Sequence, residues 1–356
     1  MTTVRHYTLI TPRADRTGPC NVAVDIGRAA SAAGWRVRLL YLSEGPVRDD
    51  LQEFAEVRRI RLSDLFTLRG VVHTHCLRPD LLGWLLRWTT PCHVLSTLHN
   101  YFLVDLGFDH AAWKVRLSWL LWVRAIRKHH HRICVSTAMQ RYYRRLLPEL
   151  EFDLAYNFRA ALPGPVEKPD STITAWLQQQ SDAHRIKMVY VGSLISRKNL
   201  LSLLTAMASA PELSLVVCGT GPLGRQLAQM RDELGLGSRV LLAGRVLAPE
   251  AVVAQCDMLV LPSFAEGLPL VALEAARVGR PCLLSNIAVH RELAGLGLGS
   301  TFDRHRFSDF RSQAIALAQG DSPARQQMLI QLWKSRFSSV TGFSQYEKLL
   351  DAPHAH

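Results

Sequence analysis

The chain has 356 residues, of which 48% are hydrophobic and 20% are charged, a length that favours two domains and a composition that excludes a disordered polypeptide. Its seven cysteines form no Cys-x-x-Cys pair, so we expect free thiols, a reducing compartment and no metal site. The net charge of +12 is compatible with three anionic partners: nucleic acid, a membrane surface or a charged substrate.

Strand and helix patterns alternate along the whole chain, which predicts parallel sheets covered by helices. The first ten residues lack the apolar core of a signal peptide and predict a strand instead, so we expect a cytoplasmic protein. Further strands are predicted at 36–41, 71–75, 93–98 and 132–136, with a helix over 18–34. The turn before that helix lacks a full glycine fingerprint, so we expect no dinucleotide cofactor there, although Gly18 is a candidate substrate-binding residue.

The segment 113–145 combines many cations with three tryptophans, Trp113, Trp119 and Trp122. At helical spacing this composition is typical of a helix that lies in a bilayer interface, and its apolar stretch is too short to span a membrane. A buried amphipathic helix with a solvated basic face explains the pattern equally well. No nucleic-acid-binding motif accompanies the charge, so we expect no nucleic-acid partner.

Between 158 and 181 the chain loses its periodicity, and its prolines and polar residues predict a linker. The second half resumes with strands at 187–192, 213–218, 240–243, 258–261 and 281–285, separated by helices, and ends in a helical stretch over 331–350. We therefore predict domains at 1–165 and 184–330, a linker at 166–183 and a C-terminal helix within 331–356. Ligands of open α/β sheets bind at the carboxyl ends of the strands, so we expect a cleft between the two sheets.

The segment 259–275 predicts a buried strand, a polar turn and a helix. Pro269 suits the first turn of that helix, and the nearby amides would bind a phosphate at the positive end of the helix dipole; these are the amides of Gly267, Leu268, Leu270 and Val271. Glu266 and Glu274 would then flank the phosphate and accept hydrogen bonds from sugar hydroxyls. Taken singly, each glutamate is explained as well by the helix dipole, which stabilises it by ~0.3–1 kcal/mol.

Other candidate residues also follow predicted strands. Arg197 and Lys198 form a cation pair in a loop that opens with Gly192 and Ser193. The pair would neutralise a diphosphate leaving group, although a solvated loop explains an isolated pair of cations at least as well. The turn containing Gly219 and Gly221 either cradles a ligand or packs tightly. Arg245 and Val246 follow the next strand, where Arg245 either contacts a ligand or points into water. In the first half His99 is a candidate, whereas His73 and His75 are interpreted as structural.

These motifs resemble the family-4 retaining glycosyltransferases of the GT-B fold. Glu266 and Glu274 have the family's E-x7-E spacing, and Lys198 occupies the lysine position of a loop in which Ser193 replaces the usual arginine and Arg197 would substitute for it. The resemblance assigns Gly219 and Gly221 to a G-x-G-P loop, Val246 to a G-x-V segment that contacts the nucleotide base, and His99 to a histidine that faces the donor sugar. It implies an α/β, GT-B architecture of two Rossmann-like domains with parallel sheets facing a central cleft, and a final helix that packs back on the first domain.

We therefore expect a hexose-type sugar to be moved, with retention, from a nucleotide donor, a UDP-sugar, to a lipid-linked or polysaccharide acceptor in bacterial surface glycan and lipopolysaccharide biosynthesis. The expected catalytic residues are His99, Arg197, Lys198 and Glu266, and no metal or other cofactor is required. The basic segment 113–145 would hold the protein peripherally on the anionic inner face of the plasma membrane. Two alternatives remain: a sugar-nucleotide epimerase of the same architecture, which needs no acceptor, and a non-catalytic adaptor, which leaves Glu266, Glu274 and Lys198 unexplained.

Overall fold

The computed structural model describes residues 5–108, 110–162, 164, 166 and 168–350. The chain divides into two compact units, of which the first runs to Ala160 and includes the C-terminal segment from Arg336 onward, and the second covers Ala161–Ser335. Each unit contains one parallel sheet with helices packed on it. The α/β class predicted from the alternation of strands and helices is confirmed.

The first unit contains a seven-stranded sheet in the order β3-β2-β1-β4-β5-β6-β7. Its strands are β1 His6–Thr11, β2 Arg36–Tyr41, β3 Glu56–Arg59, β4 Val71–His75, β5 His93–Leu98, β6 His131–Cys134 and β7 Asp153–Leu154. The strand order reverses between β1 and β4, and all neighbours are parallel. His75 at the end of β4 is in register with Thr97 of β5. The residues that follow these two strands therefore emerge at the same edge of the sheet.

The second unit contains a six-stranded sheet in the order β10-β9-β8-β11-β12-β13. Its strands are β8 Ile186–Val191, β9 Leu213–Cys218, β10 Val240–Gly244, β11 Met258–Leu261, β12 Cys282–Ser285 and β13 Gly299–Phe302. Here the strand order reverses between β8 and β11, which are parallel neighbours. Reversal points of this kind are where open α/β sheets bind ligands, beyond the carboxyl ends of the strands.

Fifteen helices and one short 3-10 turn, Ser196–Lys198, connect these strands in the described part of the chain. The helices are α1 Gly18–Ala32, α2 Asp64–Thr67, α3 Leu77–Thr89, α4 Phe102–Gly107, α5 Ala112–Ile126, α6 Thr137–Leu146, α7 Ser171–Asp182, α8 Leu200–Ala208, α9 Gly224–Glu233, α10 Pro249–Gln255, α11 Leu270–Arg277, α12 Ala288–Gly295, α13 Phe310–Gln319, α14 Pro323–Arg336 and α15 Ser339–Leu350. Within the first unit, α15 packs against α1.

A buried aspartate joins helices and strands in the first unit. Asp80 of α3 accepts hydrogen bonds from Thr74 Oγ1 at 2.6 Å, Ser96 Oγ at 2.7 Å and Trp122 Nε1 at 2.7 Å. Burial raises the pKa of Asp80 to about 6, although these donors partly oppose the rise. Because a buried polar group is costly unless it is hydrogen-bonded, this arrangement fixes α3 and α5 against β4 and β5.

The segment predicted as a linker at 166–183 contains helix α7, so this prediction was wrong in part. The Asp170 side chain accepts a hydrogen bond from the Thr172 amide at 2.8 Å and caps the helix. Ile173 and Leu177 are buried on one face, and buried Gln180 donates to the Ser238 carbonyl at 3.2 Å. The polar residues around Gln180 concealed the helix in the sequence. A polar side chain was expected to face solvent, whereas the Gln180 side-chain amide is hydrogen-bonded inside the fold.

The single helical stretch predicted over 331–350 was also wrong, because the structure contains two helices there. Helix α14 ends at Arg336 and α15 begins at Ser339. The carbonyl of the intervening Phe337 accepts a hydrogen bond from the Arg159 amide at 2.9 Å, and the Phe337 ring is fully buried. This contact with a distant part of the chain replaces the helical bond and breaks the helix.

Candidate active site

Three charged side chains meet beyond the carboxyl ends of β8 and β11. Arg197 and Lys198 lie in the 3-10 turn after β8, and Glu266 follows β11. Lys198 Nζ lies 2.5 Å from Glu266 Oε1, and Arg197 Nη1 lies 3.5 Å from Glu266 Oε2. Arg197 also donates to the Ala265 carbonyl at 2.5 Å. The structure thus brings together three of the four predicted catalytic residues at the reversal point of the sheet.

Glu266 is an ionised carboxylate inside the protein. Its residue is only 5% exposed, and burial alone would raise its pKa. The charges of Lys198 and Arg197 outweigh the burial and lower the pKa of Glu266 to about 2. Oε1 also accepts a hydrogen bond from Ser263 Oγ at 2.6 Å. With its oxygens directed toward cations and a hydroxyl, the carboxylate holds the Lys198 ammonium in place.

Sequence reasoning missed the residues that support Glu266. Ser285 Oγ donates to the Ser263 carbonyl at 2.6 Å, and His290 Nδ1 lies 2.9 Å from Ser285 Oγ and 3.1 Å from the Ser285 carbonyl oxygen. Burial lowers the pKa of His290 to about 4, so its ring is neutral near pH 7. The position of Ser263, three residues before Glu266, was a usable signal, whereas nothing in the pattern around His290 distinguished it from a core residue.

Asn199 fixes the direction of the adjacent cations. It lies in the left-handed region at φ 56°, which asparagine tolerates better than most residues. Its side-chain amide donates to the Pro262 and Arg304 carbonyls, each at 3.2 Å. These bonds stabilise the end of the 3-10 turn and the start of α8, and so position Lys198 beside Glu266.

The glycine turn after β9 packs tightly against the loop after β8. A Cβ on Gly219 would lie 1.8 Å from the Gly192 carbonyl oxygen, and one on Gly221 would lie 2.5 Å from the Leu194 carbonyl oxygen. The Leu194 amide donates to the Thr220 carbonyl at 3.0 Å. Tight packing, one of the two interpretations left open by the sequence, therefore explains both glycines. Ser193, in the same loop, is exposed.

Helix α11 begins at Leu270, with Pro269 as its N-cap residue. The placement of Pro269 in the first turn was therefore wrong by one position. Gly267, Leu268 and Pro269 are buried, whereas Leu270 and Glu274 are half-buried. Glu274 lies about one turn into the helix, as the motif required.

Arg245 and Val246 line a cavity of about 590 Å³ in the second unit. The cavity is bounded on one side by the start of α7, including Asp170 and Ile173, and on the other by the segment that joins β10 to α10. Arg245 is exposed and Val246 is half-buried, so both are accessible to a ligand in this cavity.

In the first unit His99 is hydrogen-bonded to His75. His75 Nδ1 lies 2.8 Å from His99 Nε2. His73 is bonded at both ring nitrogens, to Tyr7 Oη and to Thr97 Oγ1, each at 2.7 Å. Burial lowers the pKa of His99 and of His73 to about 3, and that of His75 well below its ordinary value. The three imidazoles are therefore neutral near pH 7.

Gly18 is the first residue of α1, and a Cβ added there would meet no atom of the described residues within 4 Å. The fold itself therefore does not require glycine at this position. The space above Gly18 is open, which is compatible with the predicted substrate-binding role.

The predicted interfacial helix corresponds to α5, but its tryptophans do not share one face. Trp122 is 3% exposed and donates to Asp80, and Trp119 packs against Phe102. The prediction of three interfacial tryptophans was therefore wrong, because two of them belong to the packed side of the helix. The exposed face instead carries Trp113, Leu117, Leu120 and Leu121, which we call the α5 stripe.

Among the described residues, no group of three or more histidine, cysteine or acidic side chains is placed to hold a metal ion. All seven cysteines are free thiols. Within the described ranges, no helix combines the length and the apolar character that crossing a bilayer requires.

Comparison with known proteins relates this chain to glycosyl transfer. Residues 176–328 match the family model described as "Glycosyl transferases group 1". The chain is 23% identical over 330 residues to the O-antigen biosynthesis glycosyltransferase WclY of Escherichia coli, covering 88% of this chain and 89% of WclY. It is 37% identical over 78 residues to the Escherichia coli UDP-Gal:alpha-D-GlcNAc-diphosphoundecaprenol alpha-1,3-galactosyltransferase, covering 22% of this chain and 20% of that enzyme.

Among solved structures, Anabaena Alr3699/HepE in complex with UDP superposes with a TM-score of 0.80 at 18% identity, covering 98% of this chain and 100% of that chain. The GT-B fold predicted from the sequence is confirmed. The family match and the relatives identify the protein as a glycosyltransferase enzyme, and they give the epimerase alternative no support.

Proposed function

We propose that this glycosyltransferase moves a hexose-type sugar from a UDP-sugar, with retention at the anomeric carbon as in family 4, to a lipid-linked or polysaccharide acceptor in the biosynthesis of a bacterial surface glycan such as O antigen or lipopolysaccharide. The observation that carries the proposal is the cluster of Arg197, Lys198 and Glu266 at the reversal point of the second sheet. The WclY relative and the UDP complex of HepE support the pathway and the nucleotide, respectively.

The cation cluster suits a leaving diphosphate. Two cations and one carboxylate leave one net positive charge beside the sheet edge. As the bond between sugar and phosphate breaks, negative charge develops on the diphosphate, and a preorganised cation stabilises it without reorganising. Lys198 has three ammonium hydrogens, so it can contact the diphosphate while it remains bonded to Glu266.

The remaining roles follow from the same resemblance. The start of α11 would bind phosphate oxygens through its backbone amides, and Glu274 would accept a hydrogen bond from the ribose. His99 would hydrogen-bond a hydroxyl of the donor sugar. Glu266 is already bonded to Lys198 and Ser263, which disfavours it as a nucleophile, so the acceptor proton would pass to the leaving phosphate on the same face of the sugar.

A donor screen tests this function. The protein is titrated with UDP, GDP and ADP by calorimetry, and its melting temperature is measured with a panel of UDP-sugars. The stabilising donor is then incubated with a polyprenyl-diphosphate-linked sugar, and the products are analysed by mass spectrometry. We expect preference for UDP and a mass gain of one sugar on the acceptor. Preference for GDP or ADP would refute the donor, and conversion of the donor to its epimer without acceptor would revive the epimerase.

Glu274→Ala is expected to weaken UDP binding about 10- to 100-fold, because a ribose hydroxyl loses an ionised acceptor worth ~1.5–3 kcal/mol. Calorimetry of the purified variant measures the change. Glu233→Ala, which removes an exposed glutamate from α9 of the same unit, is the matched control and should bind UDP as the parent does. Unchanged UDP affinity in folded Glu274→Ala would exclude Glu274 from the nucleotide site.

We further propose that α5 lies on the anionic cytoplasmic membrane surface and gives access to the lipid-linked acceptor. The α5 stripe follows helical spacing and is exposed, with Trp113 and Leu120 each 65% accessible. Lys114, Arg116 and Arg124 of the same helix are also exposed. Apolar side chains beside cations are typical of a helix at a lipid interface, and each cation near an anionic surface contributes ~1 kcal/mol.

Replacing Arg124, Arg127 and Lys128 with glutamine should weaken binding to phosphatidylglycerol-containing vesicles and should reduce its salt dependence, since exposed charges are screened by salt. Leu117→Ser combined with Leu120→Ser should weaken binding at every salt concentration, because the apolar contribution is not screened. Sedimentation with vesicles measures both. Val340→Ser changes a residue that is 83% exposed and lies outside the stripe, so it should bind like the parent. If the triple glutamine variant and the Leu117→Ser, Leu120→Ser double variant both sediment with vesicles as the parent does, α5 is excluded as the membrane contact.

A further inference from the structure

The hydrogen bond between His75 and His99 allows a deduction about where each ring carries its proton. His75 ends the buried strand β4 and is fully buried, whereas His99 follows β5 and is half-buried. The bond joins His75 Nδ1 to His99 Nε2 at 2.8 Å. Because both imidazoles are neutral near pH 7, each ring has one N–H, and one ring must donate to the other.

The second nitrogen of His75 decides which ring donates. His75 Nε2 is buried and has no hydrogen-bond partner in the described part of the chain. If His99 donated, His75 Nε2 would have to carry a proton and become a buried donor with nothing to accept it. Buried N–H groups without a partner are rarer than unpaired acceptors. The favoured arrangement places the His75 proton on Nδ1, where it is donated to His99 Nε2.

His73 lies beside His75 but offers it no alternative hydrogen-bond partner. The His73 and His75 ring centroids lie 4.5 Å apart. Both nitrogens of His73 are already bonded, to Tyr7 and Thr97, so His73 offers no alternative partner to His75. Of its two histidine neighbours, His75 is therefore hydrogen-bonded to His99 and not to His73.

We propose that His75 is a positioning residue that holds His99 in the tautomer with its proton on Nδ1. Since His99 Nε2 is occupied as an acceptor, His99 presents its Nδ1–H group to the ligand as a hydrogen-bond donor. The ligand atom that it recognises must then be a hydrogen-bond acceptor, such as a sugar hydroxyl oxygen. In this tautomer His99 does not act as a general base. This inference rests on the proposed contact between His99 and the donor sugar.

The tautomer is measured by long-range ¹H–¹⁵N correlation spectra of the full chain labelled with ¹⁵N-histidine. The His99 signals are assigned by their loss in His99→Gln. We expect Nδ1 of His99 to have the shift of a protonated nitrogen and Nε2 that of an unprotonated one. The reverse pattern would overturn the inference. This measurement needs no substrate, so it stands or fails independently of the proposed donor and reaction.

Two substitutions at His75 separate positioning from packing. His75→Asn retains an N–H near the position of Nδ1 and should preserve the His99 tautomer and keep kcat within about threefold of the parent. His75→Leu retains bulk but has no hydrogen-bond donor, so both tautomers of His99 should become populated. We expect kcat to fall about 10- to 100-fold while the affinity for UDP stays unchanged. The inference would be contradicted if His99 kept the single tautomer of the parent in His75→Leu, or if both variants lost kcat equally. If His75→Leu does not fold, the parental spectrum decides.

Discussion

Lys198→Ala is expected to lower kcat about 10²- to 10³-fold, the usual effect of removing one group that stabilises charge in a transition state. The affinity for UDP should change much less, because the Lys198 charge is needed most when the diphosphate leaves. Steady-state kinetics with the donor found by screening, and calorimetry with UDP, measure the two effects. Arg225→Ala removes an exposed cation from the same unit and should leave both unchanged. A kcat near the parent value would assign the role to Arg197 alone or to neither cation.

The same variant should lose stability in a pH-dependent manner. Lys198 and Arg197 hold the pKa of Glu266 at about 2, below its unfolded value of about 4.3. A depressed carboxyl pKa stabilises the folded state above the unfolded pKa, and this stability is lost as the pH falls towards the folded pKa. The difference in melting temperature between parent and Lys198→Ala should therefore be largest above pH ~4.5 and should narrow toward pH ~2. A difference that does not vary with pH would show that Lys198 does not stabilise the ionised carboxylate.

Gly219→Ala is expected to lower the free energy of unfolding by about 3 kcal/mol or more, at the upper end of the cost of overpacking. The added Cβ would lie 1.8 Å from the Gly192 carbonyl oxygen, and a backbone atom between two strand ends cannot move away as a flexible side chain would. Thermal and urea unfolding measure the effect.

Gly18→Ala is the matched control, because within the described part of the chain its Cβ would meet nothing within 4 Å. We expect its stability to equal or exceed that of the parent, since alanine is the better helix former. Any loss of transfer activity in Gly18→Ala would then report on a ligand near α1. Equal stability of Gly219→Ala and the parent would show that the loops after β8 and β9 can separate, and would restore a purely ligand-binding interpretation of Gly219.

Several internal strands were predictable because burial on both faces favours apolar residues. The predicted bounds of β2, β4, β5, β9 and β11 agree with the structure. Strands β3, β7 and β13 were missed because they are short or polar, and they lie at sheet edges, where charged residues are favoured because they prevent further pairing. The composition of β3, Glu56–Arg59, shows this directly.

The candidate site was predictable only in its location. Arg197, Lys198 and Glu266 follow neighbouring strands, so topology places them together. The sequence position of Glu266 could not show that it bonds Lys198. A glutamate near the start of a helix can contact a ligand, cap the helix or form an ion pair, and the sequence pattern is the same in all three cases. In the same way, Trp122 and His75 depend on partners 42 and 24 residues distant in sequence, and no local pattern records such contacts.

The buried carboxylate of Asp80 has a geometric consequence for acceptor choice. Through Trp122 it joins α5 to Thr74 and Ser96, and Thr74 directly precedes His75. If α5 rests on the bilayer as proposed, these bonds fix the height of the histidine pair above the lipid headgroups. The first unit would then select acceptors by length, because a glycan would be elongated only when its terminal hydroxyl extends to that height. The enzyme would discriminate lipid-linked acceptors by their length as well as by their chemistry.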